Sequence, residues 1–259
     1  FDTPTDSNTD YFKVSLLDAD FKVLSALDTG KDGEVTAAFD AAGTYWVKVQ
    51  TSGYYHNDGV YGVTASLSTQ TGTAETEGNE TFTTADKITV GTKIKGQLAS
   101  STDVDYFKYT TSGAASLNLS YDLPTSSNTD YFSVQILDSN NNILSGVGTG
   151  KDGTLKASVT EAGTYYIGVS VDGYYHDSGQ YGLTLNENAF TGDYESEPNH
   201  GSNSYGDVLT SNQKMSGQLY DSSDVDFYYI KATQSGALSV NFDTPTDSNT
   251  DYFKVSLLD

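Results

Sequence analysis

The sequence predicts an all-β protein, a tandem array of β-sandwich domains of about 120 residues each, with almost no helix. Three observations predict this class. Short segments alternate apolar and polar residues, as half-buried strands do. Turn clusters separate these segments at a spacing of about 8–12 residues, which is typical of sandwiches and barrels. The whole pattern also recurs with a period the size of a domain, much longer than a solenoid repeat.

The repeat is exact at its two ends. The segment FDTPTDSNTDYFKVSLLD occupies residues 1–18 and again residues 242–259, and a similar segment occupies residues 121–138. The register between the first and middle copies continues through TGKDG at 29–33 and 149–153 and through GYYH at 53–56 and 173–176. STDVDYF at 101–107 matches SSDVDFY at 222–228. The unit is therefore about 120 residues, and two variants of it form a long period of 241.

Two polar stretches without strand alternation, residues 68–74 and 186–193, predict linkers. They divide the chain into the C-terminal part of a repeat at 1–67, a complete repeat at 75–185 and the N-terminal part of a further repeat at 194–259. We expect these residues to be a window from a longer array. Strand exchange between neighbouring chains, each completing the other's sandwich, is the alternative.

The elements follow from local patterns. Alternation and an abundance of Tyr, Val, Ile and Phe predict strands at 45–50, 116–121, 131–137 and 165–170. The TGKDG loops predict hairpin turns. One helical turn at most is expected, near residues 83–87. We expect Trp46 and the strand Phe and Tyr residues to fill the core.

Composition restricts the function. The chain has 13 basic and 35 acidic residues, a formal net charge of −22, which argues against nucleic-acid and anionic-lipid binding and attracts cations. It contains no run of about 20 apolar residues, so no membrane insertion is expected. It has no cysteine, hence no disulfide or thiolate metal site. Three histidines and the absence of a Gly-x-Ser-x-Gly or His-Glu-x-x-His motif predict that it is not an enzyme.

An acidic Glu-x-Glu-x-Asn motif follows each predicted linker, at 75–79 and 195–199. Alternate acids on an extended segment, such as Glu75 and Glu77, point to one face. Clustered carboxylates repel one another unless something neutralises them, and carboxylate and carbonyl oxygens are the ligands that Ca²⁺ prefers. The motif therefore predicts Ca²⁺ sites that stiffen the joints between domains. A solvated acidic linker is the alternative.

Residues 75–110 combine the acidic opening with an Ala, a Gly-x-Leu and an Asp-x-Asp-x-Phe, and residues 181–185 close with YGLTL. This arrangement resembles the bacterial pre-peptidase C-terminal domain family and is similar to the collagen-binding domains of bacterial collagenases. Residues 195–230 match the same opening pattern. The resemblance implies tandem copies of a secreted, jelly-roll-like sandwich, an accessory module whose calcium site uses the acidic opening and the Asp-rich loop.

The resemblance also implies the ligands. Carried over residue by residue, the candidates are Glu75, Glu77, Asn79 and Asp105, with Glu195, Glu197, Asn199 and Asp226 in the second copy. Where the family has an aspartate after the Asn, this chain has Glu80, which can still serve, and His200, a poor Ca²⁺ ligand. A further aspartate is replaced by Thr102 and Ser223, and Asp103 and Asp224 either compensate or face water.

Two functions are consistent with these features. The first is an extracellular structural protein, a fibre, filament, stalk, biofilm-matrix or adhesin component that associates with copies of itself. The second is a substrate-targeting module of a secreted hydrolase that binds protein fibres or polysaccharide through tyrosines. The candidate contact surface is Tyr54, Tyr55, Tyr174 and Tyr175, although tyrosines commonly lie half-exposed on sheet faces. Either function places the protein outside a bacterial or archaeal cell, secreted or on its surface.

Overall fold

The computed structural model describes residues 1–69, 72–125, 127–159, 161–173, 176–177, 179–189, 193–195, 199, 206–219, 223–244 and 251–258. The chain forms two compact units, Phe1–Tyr229 and Ile230–Asp259. All regular secondary structure in the described residues is β, which confirms the predicted fold class. No described helix has the length and apolar character needed to span a membrane.

The first unit begins with a three-stranded antiparallel sheet. Strands β1 (Phe12–Leu17), β2 (Val23–Thr29) and β3 (Trp46–Thr51) lie in the order β2-β1-β3. A tight turn joins β1 to β2, in which the amide of Asp18 donates to the carbonyl of Lys22. The same turn recurs at Asp138 and Asn142, one repeat later.

A two-sheet β-sandwich follows. One sheet has the order β10-β9-β12-β7-β5 and the other β11-β8-β13-β6-β4, and only the edge strands β4 and β5 pair in parallel with their neighbours. The strands are β4 (Thr73–Ala74), β5 (Asp86–Lys87), β6 (Ile94–Gly96), β7 (Val104–Thr111), β8 (Ala115–Asp122), β9 (Ser127–Leu137), β10 (Ile143–Gly150), β11 (Gly153–Val159), β12 (Gly163–Val171) and β13 (Tyr181–Ala189).

The core of the sandwich lies between these two sheets. Strand β8 shows how the sequence builds it, because Leu117, Leu119 and Tyr121 alternate with polar residues and all point inward. Each fully buried large apolar side chain stabilises the fold by about 1.5–3 kcal/mol. The opposite sheet contributes Phe107, Phe132, Val134, Ile136, Ile167 and Val169.

The predicted strands are confirmed, but the hairpin interpretation of the TGKDG loop at 149–153 is wrong. Strand β10 pairs with β9, whereas β11 pairs with β8 in the other sheet, so the loop crosses between layers. A Cβ on Gly150 would collide with the backbone carbonyl of Thr129, and one on Gly153 with the Tyr121 hydroxyl. The glycines therefore permit a close crossing between sheets.

The expectation that Trp46 fills the core is also wrong. Its side chain is 46% exposed and stacks on Phe21, with ring centroids 5.2 Å apart. Trp46 is the first residue of β3, an edge strand of the three-stranded sheet. The expected helical turn near residues 83–87 is a turn in which Thr84 donates to the Thr81 carbonyl, followed by β5.

Strands reach into both predicted linkers. Strand β4 occupies residues 73–74, and β13 continues to Ala189 through pairs with β8. Beyond it, β14 (Asp193–Tyr194) pairs in parallel with β16 (Met215–Ser216), and β15 (Asp207–Val208) with β17 (Tyr228–Tyr229). These pairs repeat β4 with β6 and β5 with β7, so the second acidic opening has the local topology of the first.

The second unit, Ile230–Asp259, has no strand among its described residues. It contains an edge-to-face contact between Phe242 and Phe253, with ring centroids 5.5 Å apart. Residues 253–258 repeat the sequence of β1.

Candidate metal centre

Three buried carboxylates meet at one end of the sandwich. They belong to Glu77, Asp103 and Asp105, and one oxygen of each lies within 4.8 Å of the other two. We call these residues the acidic trio. Asp103 directly precedes β7, Asp105 lies on it, and Glu77 lies in the segment that follows β4. A local motif and a strand of the sandwich therefore build the site together.

Strand alternation explains why the Asp105 side chain points into the sandwich. It shares the inward face of β7 with Phe107, two positions later, and both side chains are fully buried. Asn79, also fully buried, is held beside them because its backbone carbonyl accepts a hydrogen bond from the Tyr106 amide over 3.1 Å. The acidic opening is thus fixed directly against β7.

Several oxygens at this centre are buried without a donor among the described residues. They are Oε1 of Glu77, Oδ1 of Asn79 and Oδ1 of Asp105. Burying such acceptors unpaired is costly, and native proteins rarely leave them so. Three carboxylates with a neutral amide oxygen form the hard-oxygen donor set that suits Ca²⁺. The residues present therefore fit a divalent cation.

The pKa shifts of the trio also support a divalent cation at this site. Burial, followed by repulsion from Asp103 and Asp105, raises the pKa of Glu77 to about 9. Burial and the charge of Asp103 hold the pKa of Asp105 well above its usual range. Burial also raises the pKa of Asp103, although the backbone amides of Ala99 and Val104 oppose the shift. The raised pKa values favour the protonated carboxyl groups, whereas a bound divalent ion would favour the ionised ones.

Glu75 has a different position from the trio. Its Oε1 accepts the Gln97 amide over 2.6 Å, and its Oε2 accepts from the Asn79 side-chain amide at 3.3 Å and from the Tyr181 hydroxyl at 3.2 Å. Both oxygens are therefore engaged by protein donors. Burial, then the charges of Asp105 and Glu77, raises the pKa of Glu75. Glu75 lies beside the trio, and we expect it to position the site rather than to ligate the ion.

The remaining predicted ligands of this copy differ in their burial and in whether they belong to the trio. Asp103 is buried in the trio, so the alternative that it faces water is excluded, while Thr102 is exposed. Glu80 is exposed and outside the trio, although its charge contributes to the raised pKa of Glu77.

Sequence reasoning missed Tyr181. This residue is the first of β13, its side chain is fully buried, and its hydroxyl donates to Oδ2 of Asp105 over 2.6 Å as well as to Glu75. Burial and the two neighbouring carboxylates raise the pKa of the Tyr181 hydroxyl. The available signal was a tyrosine at an inward position of the closing strand, where a buried hydroxyl needs a partner.

The second copy brings together part of the same arrangement. Glu195 and Asn199 are buried, and Oε2 of Glu195 accepts from the Asn199 side chain over 3.0 Å. The Tyr228 hydroxyl also donates to this oxygen. Tyr228 occupies the position of Phe107 in the first copy, so here the hydroxyl comes from a different strand. Asp224 is buried and Asp226 half-buried, whereas Glu197 and His200 lie outside the described residues.

The tyrosine surface is described only in its first copy. Tyr54 is fully exposed, at 102%, and Tyr55 is 66% exposed. Tyr174 and Tyr175 lie outside the described residues. The first pair is thus accessible to a binding partner.

Proteins similar to this chain are found among solved structures. No protein-family model matches the chain, and no curated protein matches it. Fifteen chains of solved structures are similar to it. One is the pre-peptidase C-terminal domain of a collagenase from Bacillus anthracis, with 19% identity over 39% of this chain and 93% of that chain, and a TM-score of 0.31.

Proposed function

We propose that this chain is part of a non-enzymatic, extracellular tandem-repeat protein whose domains are stabilised by Ca²⁺ at their joints. One observation carries the proposal. The trio Glu77, Asp103 and Asp105 is buried, its oxygens lie within 4.8 Å of one another, and acceptors of Glu77 and Asp105 have no donor among the described residues.

A cation at this position has a mechanical consequence. Glu77 lies on the segment that enters the sandwich after the predicted linker, whereas Asp103 and Asp105 belong to the sandwich itself. An ion held by all three would join the entering segment to β7. Because the chain contains no cysteine, a disulfide cannot make this link, whereas carboxylates that ligate one cation can.

Calorimetric titration and thermal unfolding test the cation. We expect Ca²⁺ to bind and to raise the melting temperature above that in EGTA, because a ligand that binds only the folded state stabilises it. Glu77→Gln should remove most of this increase, and Glu34→Gln, a change at an exposed glutamate, should keep it. Equal melting temperatures of the wild-type protein with Ca²⁺ and EGTA would contradict the proposal.

The structural role in a fibre, stalk or matrix is supported by the repeat, since near-exact copying favours length over distinct recognition by each domain. Ca²⁺ modules outside cells bind at about 10⁻⁴–10⁻³ M, which suits the surroundings of a secreted array. Small-angle scattering with Ca²⁺ and with EGTA tests this role. A maximum dimension that does not change on chelation would contradict calcium-stiffened joints.

The exposure of Tyr54 and Tyr55 favours one second candidate, a substrate-targeting module. Co-sedimentation with insoluble collagen and with insoluble polysaccharides tests it. Saturable binding that is lost in Tyr54→Ala/Tyr55→Ala, but kept in Tyr252→Ala, supports targeting, since Tyr252 is similarly exposed at 65%. Absence of saturable binding to either material would exclude these substrate classes and leave the structural role.

A further inference from the structure

Two glutamines make equivalent contacts between distant parts of the first unit, one of them buried (Gln97) and the other exposed (Gln218). Gln97, directly after β6, donates from its side-chain amide to the backbone carbonyl of Leu24 on β2. Gln218, two residues after β16, donates from its side-chain amide to the hydroxyl of Ser145 on β10 over 2.7 Å. We call Gln97 and Gln218 the joint glutamines.

The repeat register shows that these are two copies of one contact. Ser145 stands 120 residues after Ser25, the neighbour of Leu24, and Gln218 stands 121 residues after Gln97. Both contacts span 73 residues of sequence. In each case the Gly-Gln-Leu segment of one repeat reaches the Leu-Ser segment of the repeat before it.

The Leu-Ser segments provide buried positions that can accept a hydrogen bond from a glutamine side-chain amide. Ser25 and Ser145 are both fully buried; the donor of the first joint, Gln97, is 3% exposed, whereas the donor of the second, Gln218, is exposed. A buried side-chain amide that donates across two packed elements fixes their relative position, because losing the bond leaves a desolvated polar group. A primary amide can donate equally well to a backbone carbonyl or to a serine hydroxyl, as the two joints do.

Each joint glutamine is also held by the acidic motif. The backbone amide of Gln97 donates to Oε1 of Glu75 over 2.6 Å, and that of Gln218 donates to Oε1 of Glu195. Glu75 and Glu195 are the first residues of the two acidic openings. One carboxylate thus positions the backbone whose side chain contacts the preceding repeat.

The first joint has an additional contact. The Lys22 ammonium, from the turn between β1 and β2, donates to the backbone carbonyl of Glu77 over 3.0 Å. Glu77 belongs to the acidic trio, so a residue of the metal centre contacts the preceding sheet directly. Lys22 is replaced by Asn142 in the next repeat.

We propose that the joint glutamines fix the orientation of each repeat on the preceding one, with the Leu24–Ser25 segment and its copy at Leu144–Ser145 as the receiving surface. The partner of this surface is the next repeat of the same chain. The inference rests on the proposed array and adds the residues that set the angle of its joints. Glu75 and Glu195 connect these joints to the cation sites.

Distance measurements between spin labels test the proposal in the whole chain. Since the chain has no cysteine, Lys48→Cys and Lys156→Cys place two labels at exposed positions, on β3 and β11, either side of the first joint. We expect one narrow distance distribution. Gln97→Met, which keeps the side-chain length but removes the amide, should abolish the narrow peak. Gln50→Met, at an exposed position of β3, should leave it unchanged.

The second joint is an independent test if Gln97→Met does not fold. Labels at Lys156→Cys and Thr210→Cys should give a broader distribution with Gln218→Met, although less so than at the first joint because Gln218 is exposed, and far-UV circular dichroism should confirm an intact sandwich. Narrow distributions in folded glutamine variants would overturn the proposal. Calcium titration of the same variants separates the two ideas, since Ca²⁺ binding with unaffected joints rejects only the glutamine role, and loosened joints without Ca²⁺ binding reject only the cation.

Discussion

The hydroxyl of Tyr181 donates a hydrogen bond to the Asp105 carboxylate over 2.6 Å, within the buried end of the sandwich. The same hydroxyl lies 3.2 Å from Oε2 of Glu75, so it connects a member of the acidic trio to the residue that positions Gln97. Tyr181 therefore links the closing strand of the repeat to the centre formed by its opening.

Tyr181→Phe should destabilise the protein by about 1–3 kcal/mol, because it leaves the buried Oδ2 of Asp105 without its hydroxyl donor. Chemical denaturation followed by circular dichroism measures the loss. Tyr121→Phe is the matched control, because Tyr121 is buried on the neighbouring strand β8 but outside the acidic centre. An equal effect of both substitutions would show that the hydroxyl of Tyr181 has no special role.

Stability without divalent cations should depend on pH with a defined sign. The folded protein raises the pKa of Glu77 from 4.5 to about 9, so it binds this proton more tightly than the unfolded chain does. This contribution to the free energy of unfolding is fully present below about pH 4.5 and is lost as the pH rises towards about 9. In EGTA, the melting temperature should therefore fall across this window.

Two controls accompany this pH series. Glu77→Gln removes the titrating group and should flatten the fall in melting temperature, while saturating Ca²⁺ should oppose the fall by binding the ionised carboxylates. A wild-type melting temperature in EGTA that rises between pH 5 and pH 8 would contradict the assignment.

Substitutions at the acidic motif should separate positioning from ligation. Glu75→Gln disturbs a group that only orients its neighbours, and such changes weaken metal binding by about 10–100-fold. Glu77→Gln removes a carboxylate of the trio itself and should weaken Ca²⁺ binding more. Isothermal titration calorimetry of both variants gives the order, and a larger loss for Glu75→Gln would reverse the assigned roles.

The stability of the protein should be sensitive to substitution at one residue of the turn between β9 and β10. Asn141 has a φ of 67°, in the left-handed region that asparagine and glycine tolerate best. Asn141→Ala should cost about 1–2 kcal/mol, whereas Asn141→Gly should be nearly neutral. Asn140→Ala, at the preceding exposed turn residue, is the control for denaturant unfolding. Equal losses for Asn141→Ala and Asn140→Ala would exclude backbone strain as the cause.

Much of the fold follows from the sequence because strand alternation is local. The four segments predicted as strands each lie largely within one, for example residues 116–121 within β8 and 165–170 within β12. The local sequence of a strand does not specify the sheet to which the strand belongs. Glycine and Lys-Asp-Gly mark a tight turn at 149–153, but they do not reveal that β10 and β11 join different sheets.

The candidate site was only partly predictable for the same reason. Glu77 and Asn79 are visible in a short motif, and strand alternation places Asp105 inward beside Phe107. Tyr181 and Gln97 are brought to the acidic centre by pairing between distant strands, since Tyr181 lies 76 residues from Asp105. Such contacts leave no periodic pattern in a single sequence. Calcium at this centre stays a prediction.

The exact repetition of residues 1–18 at 242–259 has a consequence for folding. A sheet that accepts β1 would accept its identical copy equally well, so repeats could exchange strands while they refold. The short turn at 18–22 opposes such exchange, because a hairpin closes in about 1–10 μs, before a distant copy can diffuse in. We therefore expect the speed of local closure, more than any difference in affinity, to keep each strand within its own repeat.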